Sequence, residues 1–474
     1  MATKVEQTTN EVLHFIGNFN SKDKNRLNTE FKRKLLRRQS TVRDLKWNVQ
    51  CSDFAQKTHN PIRAIVDGMK IEPNPDKRMI ALSIGDPTTF GNLQPAEEIL
   101  DAMKQVIDEK NFNGYAPSVG FIEAREAVAE YSAHQGKIKE ISGKDVILCS
   151  GCSCSLDLCI AAIANEGQNI LIPKPGFSIY KTLAEGFGIE CRSYNLIPER
   201  GWEIDLDHLE ELIDENTAAI IVTNPSNPCG SVFTESHTLD IIEIAERHFL
   251  PIIADEIYEH FVFPGNEYHS FASLSKNVPV LSCGGLTKRF LVPGWRLGWI
   301  IVHDRHGALQ DIRKGLLNLS ARILGPNSLV QGALPAILKN TPQKFYDGLV
   351  ETLQNHANIA YQLLKEIRGL TPIMPKGAMY MMVEIDMKNF PDINDELDFV
   401  QKLVSEQSVF CLPGKCFDID NFMRIVLTVP KEMIIEACER INEFCEHHYK
   451  PPKNGFHDEI DDLPIDFIDI NGEN

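Results

Sequence analysis

The sequence lacks most of the features that would assign a class at a glance. No stretch approaches the ~18 consecutive apolar residues that a membrane-spanning helix needs. No GxGxxG turn and no Walker loop occurs, so neither common nucleotide cradle is present. Positive charge is in deficit: 48 Lys and Arg face 66 Asp and Glu, a net charge of −18. Phosphate neutralisation needs a basic face, so this balance argues against a nucleic-acid partner. Cys149, Cys152 and Cys154 crowd together, yet no His and no second Cys pair stands at zinc-ligand spacing, and no metal is expected. The N-terminus has no apolar signal core, and Glu6 and Glu11 interrupt what would otherwise be an acid-poor transit peptide. The expectation is a soluble cytoplasmic protein whose twelve cysteines stay reduced.

What is present is a long chain of ordinary globular composition, 474 residues with 43% hydrophobic and 24% charged residues. A polar, basic leader runs to about residue 45 and contains Lys32-Arg33-Lys34-Leu35-Leu36-Arg37-Arg38, either a solvated arm or a mitochondrial import signal. An acidic tail, 451–474, closes the chain. In between, β-branched runs alternate with helical periodicity, the pattern of parallel βαβ units. Strands are predicted at Val146-Leu148, Asn169-Ile172, Ala218-Val222, Pro251-Ala254, Val278-Ser282 and Gly298-Val302. Leu156, Cys159, Ile160 and Ile163 keep helical spacing, as do Leu239, Ile242 and Ala245. Toward the C-terminus the texture changes to long amphipathic helices with strands at Met379-Glu384 and Met423-Thr428. The predicted organisation is an arm (46–91), a large α/β domain (92–335) and a smaller α+β domain (336–450), with a small-molecule cleft where they meet.

Four polar signals fall at predicted strand ends, where parallel sheets bind ligands. Cys149-Ser150-Gly151-Cys152-Ser153 opens a helix; small residues there form either a phosphate site or a plain N-cap. Thr223-Asn224-Pro225-Ser226-Asn227-Pro228-Cys229-Gly230 is a polar turn hung on an apolar strand. Ala254-Asp255-Glu256-Ile257-Tyr258 leaves a carboxylate at the end of a buried strand, which implies a cationic partner, protein or ligand. Gly284-Gly285-Leu286-Thr287-Lys288-Arg289 precedes Pro293-Gly294-Trp295-Arg296, which brings two cations onto one folded-back loop. A lysine taken alone is usually a solvated charge.

Lys, Asp, Tyr, Asn and Arg in this order resemble the pyridoxal-phosphate aminotransferases of fold type I. The stretches Ser83-Ile84-Gly85-Asp86-Pro87-Thr88 and Asn113-Gly114-Tyr115-Ala116-Pro117-Ser118, with the Asn224 and Lys288 motifs, are similar to the animal branch that acts on tyrosine. The resemblance spans about Trp47 to Tyr449 and implies an α/β fold, a mostly parallel seven-stranded sheet flanked by helices plus a smaller α+β domain. It further implies that Lys288 carries pyridoxal 5′-phosphate and moves a proton between the substrate Cα and the cofactor. Asp255 would pair with the ring nitrogen, Tyr258 and Asn227 would bond the ring's phenolic oxygen, and Phe177 would stack on its face. Gly151, Cys152, Ser153 and Arg296 would cup the phosphate, with Tyr115 entering from the second subunit of a homodimer. Arg424, in Asn421-Phe422-Met423-Arg424-Ile425, would clamp the substrate carboxylate beside the backbone of Gly85.

Three positions depart from the resemblance. Gly285 stands where many fold type I aminotransferases have a phosphate-binding Ser, Cys154 where Gln is usual, and Thr223 where Asn is frequent. The implied activity is a ping-pong transfer from L-tyrosine to 2-oxoglutarate. Phenylalanine, alanine or kynurenine are alternative donors, because side-chain choice rests on a few pocket residues. A non-catalytic ligand sensor is the reading from another class.

Overall fold

The computed structural model describes residues 49–133, 138 and 141–451. The basic leader and all of the acidic tail but its first residue lie outside them. Eight strands form the principal sheet in the order β2-β9-β8-β7-β6-β3-β4-β5. They are β2 (Val146–Cys149), β3 (Asn169–Lys174), β4 (Glu190–Ile197), β5 (Glu203–Ile204), β6 (Thr217–Thr223), β7 (Ile252–Asp255), β8 (Val280–Gly285) and β9 (Gly298–His303). Pairing is parallel from β8 through β7, β6 and β3 to β4, and β9 runs antiparallel to both β2 and β8. The sheet therefore has eight strands where seven were expected, the additional one being the two-residue edge β5, antiparallel to β4.

All six strands predicted from apolar runs exist, because strands covered on both faces read as continuous apolar sequence. β4 escaped prediction because Glu190, Arg192, Ser193 and Asn195 interrupt its apolar positions, and only Tyr194 and Leu196 are buried. β8 begins two residues later than expected and extends through both of its glycines. They are required there: a Cβ on Gly284 would lie 2.6 Å from Trp299 Nε1, and one on Gly285 2.8 Å from the Leu297 carbonyl oxygen. The spacing assigned to Leu239, Ile242 and Ala245 is corrected in one place. Leu239 faces solvent, and Ile241, Ile242, Ile244 and Ala245 bury the inner face of the Glu235–Arg247 helix.

A second sheet, in the order β10-β11-β14-β13, is antiparallel throughout: β10 (Leu370–Pro372), β11 (Tyr380–Ile385), β13 (Leu412–Pro413) and β14 (Phe422–Val426). Near it, β1 (Ile80–Ala81) pairs in parallel with β12 (Val409–Phe410), so the N-terminal arm packs against C-terminal elements. The helices Gln343–Leu364, Glu396–Gln407 and Lys431–His448 contribute to the same apolar core. That core includes Tyr258 from the loop after β7 and Tyr380 from β11, which draws the end of the large sheet toward the small one.

Candidate active site

The C-terminal ends of the central strands define the site. The register sets Thr223 of β6 and Cys283 of β8 on either side of Asp255, the last residue of β7. Lys288 follows three residues beyond the end of β8. A cavity of about 310 Å³ opens there, lined by Lys288, Asp255, Tyr258, Asn227, Arg296 and Arg424 among others. Gly85, Cys152, Ser153 and Phe177 also line it, so eleven of the twelve residues proposed from sequence fall on or beside one space, Gly151 lying against Arg296. A larger cavity of about 900 Å³ lies around Tyr131, Arg289 and Tyr346, and none of those twelve residues lines it.

Asp255 forms the floor and is 3% exposed. Tyr180 donates its hydroxyl hydrogen to Asp255 Oδ2 at 2.8 Å and lies 2.5 Å from Thr223 Oγ1. The Cys152 thiol donates to Oδ1 at 3.7 Å. Burial raises the pKa of the Asp255 carboxyl above the ordinary carboxylate value, against the opposing pull of these bonds and of the Lys288 charge. Tyr180 was not proposed from sequence, and its only signal was the Tyr three positions after Phe177. Thr223, noted as a departure, proves to be part of the hydrogen-bonded floor.

Above the floor, Lys288 Nζ donates to the Gly85 carbonyl oxygen at 2.7 Å and lies 5.7 Å from the centre of the Tyr258 ring. The hydroxyls of Tyr258 and Tyr380 are 2.8 Å apart. Burial drives the Tyr258 phenol well up. Burial also pushes Tyr380 up, but the charges of Lys288 and Arg424 and the bond with Tyr258 more than reverse this and leave it lowered. Tyr380 too was missed, since a Tyr in an apolar strand has no sequence mark distinguishing it from core.

At the other end of the cavity, the helix Cys152–Ile163 starts behind Gly151, whose φ of 81° and ψ of 164° are accessible essentially only to glycine. A Cβ there would sit 2.4 Å from Arg296 Nη2. Arg296 donates to the carbonyl oxygens of Ser150 at 3.2 Å and Pro293 at 3.1 Å, which anchors its guanidinium over the helix start. First-turn N–H groups and the helix dipole favour an anion at that place. The Cys152 side chain faces Asp255, so its backbone N–H is what it can offer the cup. Cys154 is drawn down to about 7, chiefly by a hydrogen bond with Cys149, against the effect of burial.

Arg424, on β14, is 4% exposed. It donates from Nη1 to Asn227 Oδ1 at 2.9 Å and from Nη2 to the Ser83 carbonyl oxygen at 3.1 Å, and stands 4.2 Å from the Tyr380 ring centre and 4.7 Å from that of Phe417. Among the described residues its Nε has no hydrogen-bond partner and no carboxylate pairs with it. A desolvated guanidinium in that condition lacks an anion. Asn227, which the resemblance implies would meet both the ring and the substrate, accepts a hydrogen bond from Arg424. Tyr115, the twelfth residue, is 91% exposed and does not line this cavity of its own chain.

The donor set fits pyridoxal phosphate. Glycine at 151 leaves room for the Arg296 guanidinium against a helix start, a pair suited to a phosphate, and a buried carboxylate, Asp255, and an amine, Lys288, line the same cavity.

Comparison with known proteins agrees with this geometry. The family model for aminotransferase class I and II matches residues 77–441. The chain is 56% identical over 408 residues to tyrosine aminotransferase of Mus musculus, covering 86% of this chain and 89% of that protein. Tyrosine aminotransferase of Leishmania infantum, a solved structure, is similar with a TM-score of 0.82 and 36% identity, covering 85% of this chain and 100% of that one. An alanine aminotransferase from Pyrococcus furiosus gives a TM-score of 0.77 at 29% identity, covering 84% and 100%.

Proposed function

The chain belongs to the class I and II aminotransferases, and from that premise we propose that it transfers the amino group of L-tyrosine to 2-oxoglutarate with pyridoxal phosphate as cofactor, giving 4-hydroxyphenylpyruvate and L-glutamate. The observation that carries the reading is the buried Arg424, its Nε unpartnered, lining the same 310 Å³ cavity as Lys288 and Asp255. Bound at this site, the cofactor supplies an electron sink for the pair left on Cα when its proton departs.

The residues of the chain do the rest. Arg424 binds the α-carboxylate through its planar fork and so fixes the orientation of Cα. Lys288 would hold the cofactor through its amine and, once displaced by the substrate's amine, would accept on Nζ the proton that leaves Cα. Asp255, shielded from water and held by Tyr180, keeps a proton on the ring nitrogen. Arg296 and the start of the Cys152–Ile163 helix hold the phosphate, and Phe177 covers one face of the ring. Tyr258 and Asn227 position the phenolic oxygen.

The two half-reactions share one site, so amino donor and oxo-acid acceptor both meet Arg424. The exposed Tyr115 reaches the active site of a second copy in a homodimer, and the enzyme works in the cytoplasm. Alanine is the competing donor, favoured by the likeness to the Pyrococcus enzyme. An absorption spectrum of purified protein with pyridoxal phosphate, before and after tyrosine, tests cofactor and half-reaction together. Steady-state rates over a donor panel test specificity, and alanine outrunning tyrosine by a wide margin overturns the choice of donor.

A further inference from the structure

Three groups of this site meet at Tyr380, a residue that the sequence motifs do not mark. Its hydroxyl is 2.8 Å from that of Tyr258. The same oxygen would stand 3.0 Å from a Cβ on Gly85, whose carbonyl accepts the Lys288 amine. Its ring carries the Arg424 guanidinium at 4.2 Å. Tyr380 is 2% exposed and its neighbour in the register across β11 and β14 is Val426, so the side chain is fixed by strand pairing. Building on the aminotransferase reading above, we propose that Tyr380 is a positioning residue with two separable parts. Its hydroxyl orients Tyr258 and biases the proton on Lys288, and its ring face holds Arg424 in the pose that accepts the substrate carboxylate.

The charged groups facing the Tyr380 oxygen are Lys288 and Arg424, and the titratable one is Tyr258, which in turn faces Asp255. Two cations favour negative charge on the Tyr380 oxygen, which makes it the acceptor and Tyr258 the donor. Removing the hydroxyl frees the Tyr258 hydrogen for whatever lies in the cavity, and withdraws electron density from the neighbourhood of Lys288. Both changes disfavour a proton at Lys288. Phe at 380 keeps the aromatic face and so keeps the cation–π contact with Arg424; Leu at 380 loses it.

The test uses the holoenzyme and the variants Tyr380→Phe and Tyr380→Leu, with two readouts besides turnover. The first is the pH midpoint of the resting visible absorption band. The second is the dissociation constant of 3-(4-hydroxyphenyl)propionate, tyrosine without its amine. Tyr380→Phe is expected to lower the midpoint by about 0.5 pH unit or more, the scale of losing one polar neighbour, while leaving affinity for the probe within about twofold. Tyr380→Leu is expected to weaken the probe by about fivefold or more in addition, the scale of a desolvated cation–π contact. A Tyr380→Phe midpoint within about 0.1 unit of wild type, or Tyr380→Leu binding the probe like wild type, overturns the assignment. If Tyr380→Leu does not fold, Tyr380→Met, unbranched and without a ring, replaces it as the test of the aromatic face, with the same expected and overturning results. Wild type that gains no visible band with pyridoxal phosphate overturns this inference and the function it rests on together. A wild-type band that Lys288→Ala abolishes, with a midpoint unmoved in Tyr380→Phe, sinks only the role of Tyr380.

Discussion

Replacing Arg424 with Lys probes the carboxylate clamp at its most specific feature. The guanidinium uses its two terminal nitrogens on Asn227 and the Ser83 carbonyl, lies between two aromatic faces, and leaves Nε open. A lysine ammonium retains the charge but has no planar fork, so it cannot hold those partners and a carboxylate in one plane. The loss is that of one charge-assisted hydrogen bond, about 1.5–3 kcal/mol. This corresponds to a fall of about 10- to 150-fold in kcat/KM. Because one site serves both half-reactions, the fall should be similar for tyrosine and for 2-oxoglutarate. The assay is steady-state kinetics with each substrate varied in turn, accompanied by cofactor affinity and thermal unfolding. Unchanged cofactor affinity separates loss of the clamp from collapse of the pocket. If Arg424→Lys keeps kcat/KM within about twofold for both substrates, Arg424 does not bind the carboxylate.

Three further outcomes follow from the geometry. Asp255→Asn removes a carboxylate whose charged form burial disfavours, so the cofactor-free protein should unfold at the same temperature as wild type or higher. Turnover should nevertheless fall by about 100-fold or more; a variant with wild-type kcat would refute its pairing with the ring nitrogen. Gly151→Ala places a methyl group 2.4 Å from Arg296 Nη2 in a conformation reserved for glycine, at a cost of about 1–3 kcal/mol. Fluorescence titration should show weaker binding of pyridoxal phosphate with little change for pyridoxal, and an equal loss for both would remove Arg296 from the phosphate cup. Because Cys154 is drawn down to about 7, its thiolate fraction, and hence its alkylation rate, should rise through pH 7. Peptide mapping after brief iodoacetamide treatment reads that rate directly, and a midpoint above pH 8.5, the ordinary thiol range, would show that the bond with Cys149 is not made.

The sequence was sufficient to single out the cavity-lining groups that stand in contiguous motifs. Asp255, Tyr258, Asn227, Lys288 and Arg296 each sit at a strand end beside glycine, proline or polar residues, and a polar interruption after an apolar run is visible in one dimension. The same local pattern located six strands of the large sheet, because a strand covered on both faces must be apolar along its whole length. It failed for β4, whose polar residues broke the run, and for Leu239, where helical spacing alone did not say which side was inside.

Tertiary structure alone decided which side chains surround those motifs. Tyr180 reaches Asp255 across 75 positions and Tyr380 reaches Tyr258 across 122. Both look like ordinary core tyrosines in sequence, and only the folding of one sheet against the other turns their hydroxyls to the site. Gly285 is explained in the same way: whether a Ser could stand there depends on the Leu297 carbonyl 2.8 Å from its missing Cβ, set by β8–β9 pairing. The unpartnered Arg424 Nε likewise has no sequence signature, since an arginine on a strand becomes an anion receptor only once packing has removed its water and withheld a carboxylate. Local sequence fixes what each group can do chemically, whereas long-range packing fixes desolvation and partner choice, on which its energy depends.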